Sequence, residues 1–230
     1  MAVLTRLQLQ QRVGDLIADP NNQRWSTSQV QNKLNEGQEA FAVDTVSFLV
    51  TTSLTISASN TLALPTDVIQ IRHLRELTNG VVLKRTTEKQ LIIDHGTGFS
   101  TNTSTAPNEY YSKTEAINRT LVLYPTPTNS TITYSLSYFG LPTAMSSDSS
   151  NVFTDSASNV NYSLEPFSMG VAYWSAADLL RVQPDQGAII MLKEYERQYD
   201  KLKNDCIDFV KSLEREENYR MRGGRYFKNL

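Results

Sequence analysis

The side chains that could take part in catalysis are few and widely separated. His73 and His95 are the only histidines, and neither lies at a spacing typical of metal ligands. Asp94 beside His95 could suggest acid–base chemistry, but neighbours in sequence rarely face one another. The Gly96–Gly98 segment lacks the further glycines and the lysine of a phosphate-binding loop. We therefore expect no enzymatic activity, no catalytic residue, no metal site and no cofactor.

A second set of residues, at the C-terminal end, is suited to binding. From Asn218 to Leu230 the chain has no acidic side chain, whereas basic and aromatic ones are frequent. They are Tyr219, Arg220, Arg222, Arg225, Tyr226, Phe227 and Lys228. Arginine pairs with carboxylates and aromatic rings fill apolar pockets, a composition typical of protein interfaces. We predict that this tail becomes ordered when it docks on a protein partner.

Two other interpretations of the tail stay open. Its cations could bind phosphates while Tyr226 and Phe227 stack on bases, which would make the chain a nucleic-acid-binding accessory protein. Charged termini can also be simply solvated. The whole chain has 22 basic and 24 acidic residues and a formal net charge of -2, which argues against a general nucleic-acid coat. The aromatic residues favour docking, because a purely solvating tail gains nothing from them.

A long helix must present this tail. Apolar residues recur at spacings of three and four, which places them on one helical face: Leu192, Tyr195, Tyr199, Leu202, Cys206, Phe209 and Leu213. The pattern predicts a helix that begins at Gln186 or Gly187 and runs to Leu213 with one buried stripe. Cys206, the only cysteine, should be a core residue of that stripe and not a nucleophile. Asn218 and Gly223 favour an extended chain beyond it.

Three further helices of substantial length are predicted. The first covers Val3 to Ala18 and stops at a turn. The second begins after Ser26, a good N-cap, and its Gly37 would allow close approach of a neighbour. The third has Pro166 at an early position and ends near Pro184.

The middle of the chain changes to β periodicity. Val46, Phe48 and Val50 alternate, and Asn79-Gly80 is a strong hairpin signal. A later segment should line one face of a strand with Ile132, Tyr134, Leu136 and Tyr138. Thr86 can cap a short helix between these strands. The Ser-, Asn- and Asp-rich residues 145–163 suggest a long excursion onto a neighbouring subunit.

This order of elements predicts an α+β fold. Helices from the two ends can pack together only if the sheet region is inserted between them. We expect an N-terminal helical hairpin over 1–45, an inserted antiparallel β-rich domain over 46–163, C-terminal helices completing a helical bundle over 164–213, and an extended tail over 214–230. No run of about 18 apolar residues and no signal-peptide block occurs, so neither membrane spanning nor secretion by that route is expected.

Several short patterns occur in an order found in a known class of viral proteins. They are Arg12-Val13-Gly14-Asp15-Leu16-Ile17-Ala18-Asp19, Trp25-Ser26, Leu34-Asn35-Glu36-Gly37-Gln38, Leu64-Pro65-Thr66-Asp67 and Tyr124-Pro125-Thr126-Pro127, followed by the paired C-terminal helices. In this order the chain resembles the head-to-tail adaptor, or head-completion, proteins of tailed bacteriophages. The resemblance covers nearly the full chain.

The resemblance implies a structural virion protein with defined partners. Adaptors of this kind form a ring beneath the portal in the neck, at the head-to-tail interface, after assembly in the host cytoplasm. This chain would then form a homo-oligomeric, dodecameric ring whose tail residues, from Tyr219 to Lys228, bind the portal protein. Tail or nozzle proteins would bind the other face. Genomic DNA would pass through the lumen during ejection without sequence-specific binding.

Overall fold

The chain folds as two compact units in the computed structural model, which describes residues 4–21, 23–58, 60–115, 118–128, 131–182 and 186–223. The helical unit comprises Met1–Phe48 and Leu141–Leu230, and the β unit comprises Leu49–Gly140. The class is α+β. The β-rich region was expected to continue to residue 163, but it ends at Gly140 because the following segment packs on the helices.

Five α-helices lie within the described residues: α1 Arg6–Leu16, α2 Thr27–Thr45, α3 Glu88–His95, α4 Ser168–Val182 and α5 Gln186–Gly223. In the helical unit, α4 contacts α1, α2 and α5. Ser26 is the N-cap of α2, as predicted: its side chain accepts a hydrogen bond from the Gln29 N–H at 3.3 Å, and Gln29 Oε1 accepts from the Ser26 N–H at 2.9 Å. This reciprocal capping box fixes where α2 begins.

Gly37 lies where α2 and α4 approach closely, which confirms the prediction for this residue. A Cβ atom at Gly37 would lie 2.9 Å from Ser175 Oγ and 3.1 Å from the Val171 carbonyl oxygen. The Ser175 hydroxyl is in turn 2.8 Å from the carbonyl oxygens of Lys33 and Val171. The absence of a side chain therefore lets α4 approach closely enough for the Ser175 hydroxyl to reach the α2 backbone at Lys33.

Residues 141–163, which include the stretch 145–163 expected to form a long excursion, pack on the helices of their own chain. Gln38 Nε2 donates to the Thr143 carbonyl oxygen at 2.9 Å, and Arg6 Nη2 contacts Asp148 Oδ1 at 2.6 Å. Val152 and Phe153 are fully buried. Buried apolar residues, a hydrogen bond and an ion pair together anchor this loop on α1 and α2.

In the described part of the β unit there are nine strands: β1 Leu49–Ala58, β2 Thr61–Ala63, β3 Val68–Glu76, β4 Val82–Arg85, β5 Thr103–Ser104, β6 Glu109–Glu115, β7 Asn118–Tyr124, β8 Thr126–Pro127 and β9 Thr133–Gly140. Seven of them close into a barrel in the order β1-β2-β7-β6-β4-β3-β9, and β5 pairs with β8 separately. The all-antiparallel prediction is wrong at β4–β6 and β5–β8, which pair in parallel. Between β4 and β6 the chain crosses over through α3, so that β6 runs in the same direction as β4. A hairpin could join only antiparallel strands.

In the β unit, short sequence patterns predicted a turn, the start of a helix and the buried face of a strand. Asn79 and Gly80 join β3 to β4, and Gly80 adopts a positive φ of 68° that glycine tolerates. Thr87, one residue after the predicted Thr86, caps α3 by accepting from the Gln90 N–H at 3.1 Å. The predicted face of the last strand is confirmed, since all four residues of the alternating set are buried: Ile132, Tyr134, Leu136 and Tyr138.

Candidate functional site

The apolar stripe of α5 is buried near the middle of the helix and emerges towards its end. Tyr199 and Cys206 are buried, Phe209 is half-buried, and Leu213 is 41% exposed. The Phe209 ring packs 5.8 Å, centroid to centroid, from the ring of Phe167, the residue immediately before α4. The predicted stripe is thus confirmed as the contact by which α5 packs in the helical unit.

Two tyrosine hydroxyls attach α5 to the N-terminal helices. Tyr195 Oη donates to the Leu16 carbonyl oxygen at 2.6 Å, which satisfies a carbonyl that the end of α1 leaves unpaired. Tyr199 Oη donates to Asp44 Oδ2 at 2.8 Å. Burial and then the nearby Asp44 carboxylate raise the pKa of Tyr199, so its hydroxyl keeps its proton and remains a donor.

Cys206 is fully buried below this pair, which confirms it as a core residue. Burial raises the pKa of its thiol, and hydrogen bonds with Ser47 and Thr45 only partly oppose that shift. The thiolate that a nucleophile needs is therefore disfavoured.

An ion pair adds a charged tie between α4 and α5. Arg181 Nη2 lies 2.7 Å from Glu196 Oε1, and Arg181 Nη1 lies 3.4 Å from Asp178 Oδ1. The hydrogen bond from Arg181 to Glu196 is the main cause of its raised pKa. Because these groups are partly exposed, the ion pair should help to orient α5 while adding little to the free energy of unfolding.

The helix continues past its predicted end. It runs to Gly223 instead of Leu213, so the first part of the expected extended tail is helical. Residues 214–222 include glutamate, arginine and methionine, which favour helix, and the pair Gly223-Gly224 follows. The helix formers outweighed Asn218, and the glycines on which the prediction also depended, Gly223 and Gly224, come only at the helix end. Beyond Leu213 the helix adds about 15 Å at 1.5 Å per residue.

The predicted binding residues are divided by this helix end. The backbone of Tyr219, Arg220 and Arg222 is part of α5. Arg225, Tyr226, Phe227 and Lys228 lie outside the described residues. Tyr219, Arg220 and Arg222 therefore lie on a helix whose earlier part, up to Leu213, packs in the helical unit. The other four predicted binding residues follow them in sequence.

The candidate acid–base residues have separate partners. Asp94 Oδ1 accepts from Gln90 Nε2 at 2.8 Å, whereas the His95 ring packs against Tyr124 at a centroid distance of 4.9 Å. Among the described residues, no group of three or more His, Cys, Asp and Glu side chains is arranged to hold a metal ion. Within the same part of the chain, no helix is long and apolar enough to cross a membrane.

Sequence reasoning missed two groups of exposed apolar side chains. One lies at the turn between β3 and β4, with Leu77, Val81 and Val82. The other lies where α4 ends and α5 begins, with Val182, Ile189, Ile190 and Met191. The second group could have been predicted from the sequence, because Ile189, Ile190 and Met191 are consecutive and cannot all face one core from a helix.

Comparison with known proteins identifies the family. The sequence profile described as SU10 adaptor protein matches residues 4–223, which include residues of both units and the whole of α5. No curated protein matches the sequence significantly. The match spans far more than half of the chain, and it agrees with the resemblance carried by the short patterns from Arg12 to Pro127. The chain belongs to the SU10 adaptor protein family and is accordingly a phage adaptor protein, a component of the virion.

Proposed function

We propose that this protein forms an adaptor ring in the phage neck, where it joins the portal to the tail and lines the DNA passage. In this role each subunit is anchored on the portal by its C-terminal arm, defined as residues 214–230. The protein is structural and catalyses no reaction. The observation that carries the proposal is the packing of α5: its base is fixed in the helical unit, and the helix continues to Gly223.

A fixed base makes the arm an efficient anchor. The hydroxyls of Tyr195 and Tyr199, together with the Phe209 ring, hold the helix below Leu213. Because the base is already ordered, docking has to immobilise only the residues beyond it, which lowers the entropic cost of binding. The arm then offers arginines for carboxylates and aromatic residues for apolar pockets.

Repetition around a ring would strengthen such a contact. Each arm alone presents a small surface, with Tyr219, Tyr226 and Phe227 as its aromatic residues. Once one arm of a closed ring is docked, the others bind at high effective concentration, so modest contacts give tight attachment. The opposite face of the ring is left for tail or nozzle proteins.

The net charge of the chain supports the proposed passage of DNA through the ring. The chain has a formal net charge of -2, which suits a lumen that DNA must pass through without being held. A nucleic-acid-binding role for the arm is the second candidate, supported by four cations and no acid between Asn218 and Leu230. The two differ in salt dependence, since phosphate contacts weaken steeply with salt whereas buried aromatic contacts do not.

The test is to mix the purified chain with the portal ring of the same phage and examine the product by electron microscopy. We expect a second ring below the portal, and we expect Tyr226→Ala with Phe227→Ala to remove it at 150 mM and 500 mM salt alike. Lys201→Ala, at an exposed position on the packed part of α5, is the matched control. The double variant could instead bind the portal as the wild type does, while DNA binding depended on the four cations of the arm. That outcome would favour the nucleic-acid-binding role over the portal-anchoring role.

A further inference from the structure

The β3–β4 turn carries three exposed apolar side chains, Leu77, Val81 and Val82, which we name the knob. Val82 is 58% exposed although it lies in a strand. The turn is held from both sides: Asn79 Nδ2 donates to Glu76 Oε1 at 2.8 Å, and Arg75 Nε donates to the Gly80 carbonyl oxygen at 3.2 Å. A turn ordered in advance loses little entropy when its apolar side chains are buried by a partner.

A second apolar surface lies on the helical unit at the junction of α4 and α5, named here the junction patch. It consists of Val182, Ile189, Ile190 and Met191, all exposed, with Ile190 at 74%. Isolated exposed apolar residues are common in proteins, but several in one helical turn indicate a contact site.

The two surfaces belong to parts of the chain with opposite charge. Residues 72–89, which contain the knob, have 5 basic and 2 acidic residues, and one of the acids, Glu76, is buried. The helical unit, residues 1–48 and 141–230, has 15 basic and 18 acidic residues. Next to the junction patch, Lys193 and Glu194 follow one turn after Ile189 and Ile190, and Glu194 pairs with Arg197 at 2.8 Å. The knob segment and the helical unit thus carry net charges of opposite sign, which favours contact between the knob of one molecule and the helical unit of another.

We propose that the knob of one copy of this chain binds the junction patch of the next copy. This inference rests on the proposed ring. A closed ring needs two different, complementary surfaces on each subunit, since a surface that pairs with itself gives only a dimer. The knob and the junction patch supply such a pair.

The expected strength of one contact is low. The seven side chains expose on the order of 500 Å² of apolar surface, about half of the apolar area in a standard interface of roughly 1,600 Å². A single knob–patch contact should therefore dissociate readily. Ring closure gives every subunit two such contacts and makes the assembly cooperative.

Disulfide cross-linking tests the proposal. A chain with Val82→Cys and Ile190→Cys is oxidised both free at high concentration and bound to the portal, and the products are separated under denaturing conditions. We expect a ladder of covalent multimers in at least one of the two states. Each single-cysteine variant should give no ladder, and the wild type, whose Cys206 is buried, should stay monomeric.

Several outcomes would overturn the proposal. They are a double variant that stays monomeric in both states, one whose cysteines join only within one chain, and a single Ile190→Cys variant that forms dimers as efficiently as the double variant. Failure of the proposed function is recognised separately, because portal binding by the arm is measured without cross-linking. A ladder from the free chain combined with no portal binding would sustain this interface and refute the anchor.

A complementation experiment gives independent support. Val82→Asp and Ile190→Asp should each weaken self-association at least tenfold, and their equimolar mixture should form dimers but nothing larger, since it retains one intact interface. Thr128→Asp and Asn204→Asp, at exposed polar positions in the two units, are the controls and should assemble as the wild type does. Mixed variants that associate no better than either alone would contradict the pairing.

Discussion

The Tyr195 hydroxyl donates a hydrogen bond of 2.6 Å to the Leu16 carbonyl oxygen, so the C-terminal helix is tied to the end of the first helix of the same chain. Tyr195→Phe removes this donor and leaves the carbonyl at the end of α1 without it. We expect a loss of about 1 kcal/mol in the free energy of unfolding, measured by urea denaturation. Tyr162→Phe, at an exposed tyrosine, is the control; equal losses in the two variants would show that the bond contributes nothing.

Removal of the Tyr134 hydroxyl should have a different effect on stability from removal of the Tyr195 hydroxyl. It is buried in the barrel and has no hydrogen-bond partner among the described residues. Tyr134→Phe should therefore leave stability at pH 7 unchanged or raise it, because no bond is lost and an unpaired polar group is removed. A loss above about 1 kcal/mol would contradict this account.

The same tyrosine predicts a decrease in stability at alkaline pH. Burial and then the nearby Glu76 raise the pKa of Tyr134 from 10.0 to about 12. Between these values the unfolded chain has released the proton while the folded chain retains it, so stability falls as pH rises, by up to roughly 1.4 kcal/mol per pH unit. Urea denaturation of wild type and Tyr134→Phe from pH 9 to 11 should show the shallower decrease in the variant. Parallel curves would count against this assignment.

Asp19 predicts a loss of stability in acid. Burial alone would raise the pKa of Asp19, but the backbone N–H groups of Trp25, Gln23 and Arg24 and the Arg24 charge outweigh it, and the pKa lies below the ordinary 3.8. A lowered pKa stabilises the fold above that value, and the contribution is lost as pH falls through the folded-state pKa. Asp19→Asn should cost about 2 kcal/mol at pH 7 and progressively less below pH 4. Asp205→Asn, an exposed position on α5, should change little at either pH.

Gly37 predicts a steric effect where α2 meets α4. In Gly37→Ala the new methyl group would lie 3.1 Å from the Val171 backbone oxygen, which cannot move away as a side chain can. We expect a net destabilisation of about 1–2 kcal/mol, since the strain exceeds the gain in helix propensity. Gly98→Ala meets no atom within 4 Å and should be neutral or slightly stabilising. Matched thermal unfolding of the two variants separates crowding from backbone effects.

The features that the sequence predicted are those set by nearby residues. The Ser26 cap, the Asn79-Gly80 turn and the stripe around Tyr199 depend on residues within a few positions of one another. The packing of residues 141–163 was not predictable in that way, because Gln38 reaches Thr143 across more than a hundred residues. The parallel pairing of β4 with β6 likewise depends on where α3 packs, which no local pattern specifies.

The predicted binding residues show the same division. Their chemical types and their place at the end of a helix were predictable, because composition and spacing are local. The length of the helix was underestimated, since Asn218 and the following Gly223 and Gly224 were given more weight than the glutamates and arginines of residues 214–222. The knob and the junction patch were missed, because exposure of Val82 or Ile190 depends on what the rest of the chain leaves uncovered.

The central claim, that the C-terminal arm anchors the subunit on the portal, is tested most directly by one dissociation constant. The chain that ends at Glu217, lacking Asn218 to Leu230, is compared with the full chain for binding to the purified portal ring, after equal melting temperatures show that both are folded. We predict at least a hundredfold weaker binding by the shortened chain, at low and moderate salt alike. An unchanged dissociation constant would contradict the account.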